Sequence, residues 1–221
     1  MRIVSVNVGQ PREFALKGSV VLTSIFKTPV SGRLAIRGYN IEGDRQADLR
    51  VHGGPYKAVY AYASEHYRYW ADELPDAELG WGAFGENVTL AGIAEENAFI
   101  GDQFRIGSAV LQITQPRMPC FKLNLRFQRS DMVKRFWQSG LSGIYFAVVT
   151  EGDIGAGDEV ELITRHADGI SVADVVRLYK GETVDDRLFD KMLRAPLRGS
   201  WKKDIRERWE ERSLPLFDPA V

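Results

Sequence analysis

The chain is poor in sulfur, in net charge and in long apolar runs. One cysteine in 221 residues rules out an intrachain disulfide and an all-thiolate metal cage. A zinc site would have to draw on carboxylates or on the three histidines. A formal net charge of -1 supplies no broad pull toward nucleic acid or acidic lipid, so an anion has to be caught by a local cluster. No apolar stretch approaches membrane-spanning length, and Met1–Val6 reads as a strand rather than a signal peptide. An unpaired cysteine in such a chain makes the cytoplasm the expected compartment.

A hydrophobic content of 44% and an aromatic content of 11% are enough for one good core and a smaller second one. Val4, Val6 and Val8 recur at period two, and residues 19–26, 34–37, 58–62, 86–90, 99–107, 109–114, 143–150 and 154–162 follow as short strands separated by glycine-marked turns. Two modest helices interrupt them: one capped by Ser64 and stopped by Pro75, one capped by Ser130 and ended by Gly140. Residues 1–164 therefore read as a mainly β, barrel-like domain with short peripheral helices. After Asp168-Gly169 the pattern changes to three helices, capped in turn by Ser171 (with Asp174 in the capping-box position), Asp185 and Ser200, so residues 165–221 form a small C-terminal three-helix domain. Its Lys202, Lys203, Arg206 and Arg208 could suggest a DNA-binding module. Asp204, Glu207, Glu210 and Glu211 lie among them, as on a solvated face of paired charges, so no nucleic-acid partner is expected.

Three stretches carry candidate chemistry. Ala109–Thr114 is strand-like and stops at two prolines, Pro116 and Pro119, which cannot continue a ladder, so Cys120 is delivered to the rim of a sheet. Arg117 and Lys122 on either side favour a thiolate, which makes Cys120 either a reactive or metal-binding sulfur or a small buried hydrophobe. The segment Arg50-Val51-His52-Gly53-Gly54-Pro55-Tyr56-Lys57 combines cations with two glycines that admit close backbone approach or a positive φ. It is either an anion cradle or a hairpin turn with surface charges, and it has neither Walker nor dinucleotide spacing. The third stretch is Phe84-Gly85-Glu86-Asn87, where a loop enters a strand. The cations of the loop Lys27–Arg33 are by default solvated, and His66, on one face of the first helix with Tyr67 and Trp70, is by default packed or capping.

Taken together, Gly43-Asp44-Arg45-Gln46-Ala47-Asp48 leading to Val51-His52-Gly53-Gly54-Pro55, then Phe84-Gly85-Glu86-Asn87, then Gln115-Pro116-Arg117-Met118-Pro119-Cys120-Phe121-Lys122-Leu123 resemble the molybdenum-cofactor sulfurase C-terminal (MOSC) domain family. The likeness is to its stand-alone, YiiM-like hydroxylaminopurine reductase branch, with a C-terminal three-helix domain. It implies a β-barrel holding the molybdenum cofactor (Mo-molybdopterin), with Cys120 ligating the metal and no need for pyridoxal phosphate. The implied reaction is reduction of N-hydroxylated bases such as 6-hydroxylaminopurine to the amine, a detoxification. With no flavin, nicotinamide or iron–sulfur motif in the chain, electrons are expected from a separate flavoprotein reductase.

In this reading Lys27, Arg50, Lys57, Arg117 and Lys122 hold phosphate and pterin. Asn87 and Asn124 offer amide edges, Gly53 and Gly54 allow close approach, and His52 handles protons beside the catalytic Cys120. The expected partners are a small N-hydroxylated substrate and the reductase, with no membrane. The alternative is a cofactor or sulfur carrier without turnover of its own.

Overall fold

The computed structural model describes residues 1–16, 18–47, 53–167, 169–182 and 184–211. Its centre is an eight-stranded sheet. The strands, with short hairpins beside them, are β1 (Arg2–Val8), β2 (Arg12–Leu16), β3 (Ser19–Thr23), β4 (Thr28–Val30), β5 (Arg33–Arg37), β6 (Asn40–Ile41), β7 (Val59–Ala63), β8 (Val88–Ala91), β9 (Gln103–Ile106), β10 (Ala109–Pro116), β11 (Ile144–Thr150), β12 (Gly152–Gly155) and β13 (Val160–Thr164). The main sheet runs β13-β9-β10-β11-β7-β8-β1-β4, and β12-β5-β6 and β2-β3 form two smaller sheets.

The barrel expected from the strand count is only partly closed. One edge of β1 is shared: Val6, Asn7 and Val8 pair with Val30, Pro29 and Thr28 of β4, while Arg2 bridges Glu159 just before β13. Two backbone bonds secure that meeting, Ile3 N–H to the Asp158 carbonyl at 2.9 Å and Val160 N–H to the Met1 carbonyl at 3.0 Å. The sheet rolls round until its two ends divide a single strand, so its ladder remains open between β13 and β4.

Strand β7 explains how two cores arise. All five of its residues, Val-Tyr-Ala-Tyr-Ala, are buried. Successive side chains of a strand point to opposite faces. Val59 and Ala61 therefore enter the main core with Ile3, Val6, Phe104, Leu111, Ile113 and Phe146. Tyr60 and Tyr62 enter a second, aromatic core with Tyr67, Trp70, Phe84, Leu123 and Phe136. β7 pairs in parallel with β8, Ala61 opposite Val88. A parallel pair needs a long crossover, supplied here by α1 (His66–Glu73) and the loop that follows it.

Two helices cover the aromatic core: α2 (Lys122–Phe127), which the sequence reading omits, and α3 (Met132–Ser139). No side chain of the expected cap Ser130 or of Asp131 closes α3. Asn124 of α2 does so instead, its Oδ1 accepting from Val133 N–H at 2.9 Å.

The C-terminal helices are α4 (Val172–Tyr179), α5 (Asp186–Arg194) and α6 (Gly199–Glu211), the last beginning one residue before its expected cap Ser200. α4 has the expected capping box: Ser171 Oγ accepts from Asp174 N–H and Asp174 Oδ2 from Ser171 N–H, each at 3.0 Å. Val172, Val175, Met192, Trp201 and Ile205 from these helices join the main core of the sheet. Burying a side chain of this size contributes about 1.5–3 kcal/mol, enough to hold α6 against the sheet. No helix among the described residues is long and apolar enough to cross a membrane.

Candidate functional site

A cavity of about 300 Å³ opens where the ends of β3, β7 and β10, the loops around residues 44–47 and 53–57, α2, α4 and α6 come together. That volume is at the small end of ligand clefts, which span about 300–1,000 Å³.

One wall is a buried polar network built on Asp44. Its side chain accepts from Gly9 N–H at 2.7 Å and from Asn87 Nδ2 at 2.9 Å, and it pairs with Lys27 Nζ. The Lys27 side chain is only 8% exposed, so a lysine that reads as a surface charge in a basic loop lies inside the protein. Burial holds its ammonium below the ordinary lysine range, with Asp44 pulling the other way. Asn87 Oδ1 in turn accepts from Tyr60 N–H at 3.1 Å, locking the amide to β7. Gly85 adjoins this network with φ +79°, and a side chain there would meet Ile25 at 2.9 Å. Only glycine fits such a position.

A second wall is built on Arg117. Its guanidinium lies over the rings of Tyr60 and Phe136, 4.8 and 5.3 Å from their centroids, and donates to the Phe84 carbonyl. Burial pushes the phenols of Tyr60 and Tyr145 up from their ordinary value, so both are neutral at physiological pH. Phe84 is held in place by Glu86, a fully buried carboxylate that accepts from Gly82 N–H at 2.8 Å, Phe84 N–H at 3.1 Å, Thr89 Oγ1 at 3.0 Å and the Tyr67 hydroxyl. Glu86 thus shapes the loop whose carbonyl aims Arg117.

Cys120 is half-buried and lines the cavity with Lys57 and Lys122. β10 continues through Gln115 and Pro116, which pair with Tyr145 and Ile144, before the chain turns to present the thiol. Lys57 ends a 3-10 turn, Pro55–Lys57, that Gly53 and Gly54 enter with φ +107° and +79°. The Thr114 hydroxyl fastens this turn to β10 through the Tyr56 carbonyl at 2.7 Å. Burial first, and then the Arg198 guanidinium, lower the Lys57 pKa, while negative charge on the Cys120 sulfur acts to raise it. Among the described residues four cations, Lys27, Lys57, Arg117 and Lys122, face the cavity against two carboxylates, Asp44 and Asp204, a balance that favours an anion.

Among the described residues two buried side-chain atoms of the cavity wall lack a hydrogen-bond partner: Gln115 Oε1 and Ser24 Oγ. Gln115 is only 2% exposed. A buried, unpaired carbonyl costs free energy that a ligand N–H would recover.

The structure therefore gathers Cys120, Lys27, Gly53, Lys57, Asn87, Arg117 and Lys122 around one cavity. Arg50 and His52 lie outside the described residues. Gly54 shapes the turn without lining the cavity, and the Asn124 side chain is occupied in closing α3. His66 is a packed histidine, its Nε2 2.8 Å from Glu95 Oε2. The sequence reading passes over Gln115, Tyr60, Tyr145, Tyr179, Trp201 and Asp204. Gln115 alone stood in a quoted motif, five residues before the cysteine.

The MOSC domain family model matches residues 48–161, slightly more than half of the chain. The chain belongs to the MOSC domain family. Protein YiiM of Escherichia coli (strain K12) is similar to it, 38% identical over 84% of each chain. The crystal structure of YiiM from Geobacillus stearothermophilus superposes with a TM-score of 0.77 at 35% identity, covering 94% of this chain and 98% of that one. A protein of Gibberella moniliformis named "Reductase" is 32% identical over 93% of this chain and 37% of its own length. In this MOSC protein the matched span holds Lys57, Asn87, Arg117, Cys120 and Lys122, while Lys27, Asp44, Tyr179, Trp201 and Asp204 lie outside it.

Proposed function

We propose that this MOSC protein is a molybdenum-cofactor-dependent reductase of N-hydroxylated bases, with Cys120 as the metal's protein ligand. The observation that carries the reading is the setting of Cys120. It is a half-buried thiol on a cavity with four cations and an unpaired buried amide carbonyl.

The residues fit the group. Among the described residues no three His, Cys, Asp or Glu side chains converge on a point, which suits a metal that arrives with ligands of its own. A dithiolene-ligated metal does so, and a single soft thiolate completes its set. Lys57, Lys122 and Arg117 suit the phosphate end, Arg117 through a fork that Tyr60 and Phe136 hold flat. Gln115 Oε1 and the Ser24 hydroxyl suit the N–H edge of a pterin.

When bound, the cofactor supplies the two-electron couple. The reaction breaks one N–O bond: R–NHOH, two electrons and two protons give R–NH2 and water. The chain's own part is to position the base, exclude water and supply protons. His52, the motif residue whose charge changes near neutral pH, is the proposed proton-handling group. Electrons come from a flavoprotein.

The test is elemental analysis of protein from a cofactor-competent host, together with turnover of 6-hydroxylaminopurine under a reduced viologen dye. One molybdenum per chain and production of adenine are expected, both lost in Cys120→Ser. Full metal content and activity in that variant would overturn the assignment.

A further inference from the structure

The C-terminal helices bring three side chains into the cavity, two aromatic rings and a carboxylate. Tyr179 of α4 and Trp201 of α6 form an aromatic pair, ring centroids 4.8 Å apart at 50°, and Asp204 follows Trp201 by three residues on the same helical face. Tyr179 and Trp201 are 4% and 8% exposed, held by the main core on one side and by the cavity on the other. The Arg208 guanidinium lies over the Tyr179 ring at 5.4 Å and fixes it from one turn further along α6.

The two carboxylates of the cavity among the described residues are in opposite conditions. Asp44 is committed to Lys27, Gly9 and Asn87. Among the described residues Asp204 has only the Tyr179 hydroxyl as a hydrogen-bond partner, at a long 3.4 Å, and it is half-buried. A carboxylate on an otherwise cationic cavity works against an anionic ligand at that point and suits a neutral ring that donates N–H. An indole beside it offers that ring a stacking surface.

Resting on the reductase reading above, we infer that Tyr179, Trp201 and Asp204 form the substrate-recognition wall. It selects flat, neutral, N–H-bearing heterocycles, such as N-hydroxylated purines, over simple hydroxylamines, with Asp204 accepting from the ring and Trp201 stacking on it. The C-terminal helices thus set specificity, while the sheet and α2 hold the metal end.

Two substrates separate these contributions. 6-Hydroxylaminopurine offers ring N–H donors; N-phenylhydroxylamine offers a flat ring with none. A site built to hydrogen-bond a substrate discriminates strongly against an analogue lacking the donor, so Asp204→Asn and Asp204→Ala raise KM for the purine roughly tenfold or more. They leave KM for N-phenylhydroxylamine within about twofold and kcat nearly unchanged. Trp201→Ala raises KM for both compounds. Equal effects of the Asp204 variants on the two substrates, or no effect on either, would overturn the inference, and retained turnover of N-phenylhydroxylamine shows that the variants fold.

A binding arm does not depend on turnover. Adenine titrated into the cofactor-loaded protein by calorimetry binds the native chain at least about tenfold more tightly than the Asp204→Ala chain. Equal affinity, or no binding to the native chain, sinks the inference. Adenine binding without reduction of either hydroxylamine leaves the recognition wall standing and removes the reductase reading.

Discussion

The Arg117 guanidinium lies 4.8 Å from the centroid of the Tyr60 ring, with Phe136 at 5.3 Å and the Phe84 carbonyl accepting from it. One cation thereby ties β10 to β7, to α3 and to the loop before β8. Lysine is a poor substitute, because an ammonium has neither the planar fork nor the flat face that stacks. Arg117→Lys should lower unfolding stability by about 1–3 kcal/mol, the scale of a lost charge-assisted bond and stacking contact. Urea titration followed by tyrosine and tryptophan fluorescence measures it. A stability within about 0.5 kcal/mol of the native chain, the range of ordinary surface changes, would remove this role.

Lys27 and Asp44 are mutually dependent. The Asp44 side chain is 1% exposed, so Lys27→Met leaves a buried carboxylate with, among the described residues, the Gly9 and Asn87 donors alone. Breaking one side of such a pair costs about 3–5 kcal/mol. Asp44→Asn on the same background removes the stranded charge while still accepting from Gly9, so the double variant should be more stable than Lys27→Met alone. A double-mutant cycle checks this; additive losses would show that the two residues act independently.

Much of this fold can be read from alternation and caps. Val4, Val6 and Val8, the Ser171–Asp174 box and the glycine-marked turns each act locally and leave a local trace. What is illegible depends on distant partners. α2 has six residues, too few for a helical period to emerge, and Asn124 caps a different helix from the one it sits on. Lys27 looks solvated until the chain folds Asp44 beside it. α6 carries a mixed-charge pattern typical of a surface helix, and only its packing shows that Trp201 and Asp204 face the cavity. Six of the seven residues gathered there, Lys27 apart, were legible because motif position and charge pointed to them, whereas Tyr145 and Tyr179 stand outside every motif.

Glu86 links pH to stability. Burial holds its carboxyl above the ordinary value of 4.5, although its hydrogen bonds to Tyr67, Gly82 and Thr89 pull down. The native state then retains a proton that the unfolded chain gives up, so the contribution of Glu86 to stability is full below about 4.5 and is lost as pH rises through the raised value. Glu86→Gln cannot titrate and should lose this slope, while costing about 1–3 kcal/mol because its amide cannot accept from every donor the carboxylate satisfies. Thermal midpoints across the acid range read both effects; an unchanged slope in the variant would assign it elsewhere.

Lys57 should make anion binding fall off early with alkali. Its pKa is lowered by burial and by Arg198. The protonated form attracts the anion, so affinity is full below the lowered pKa and drops as pH rises through it, before an exposed lysine at 10.5 would titrate. Inorganic phosphate titrated calorimetrically into the protein should show this step, and Lys57→Met should show weaker, flatter binding. A native profile that stays level up to 10.5 would contradict the role given to this ammonium.

Gln115 offers a test in which stability and ligand retention move in opposite directions. Its Oε1 is buried on the cavity wall without a partner among the described residues. Replacing a buried, unpaired acceptor by an apolar group of similar shape removes an uncompensated desolvation cost, so Gln115→Met should stabilise the ligand-free protein by about 1 kcal/mol. If Oε1 is kept unpaired in order to accept an N–H from a bound pterin, the same change should weaken cofactor retention roughly tenfold, read as molybdenum remaining after prolonged dialysis. A residue that merely packs would lose stability on substitution and leave retention alone. The opposite pairing, a less stable protein that keeps its metal, would therefore strip Gln115 of any part in binding.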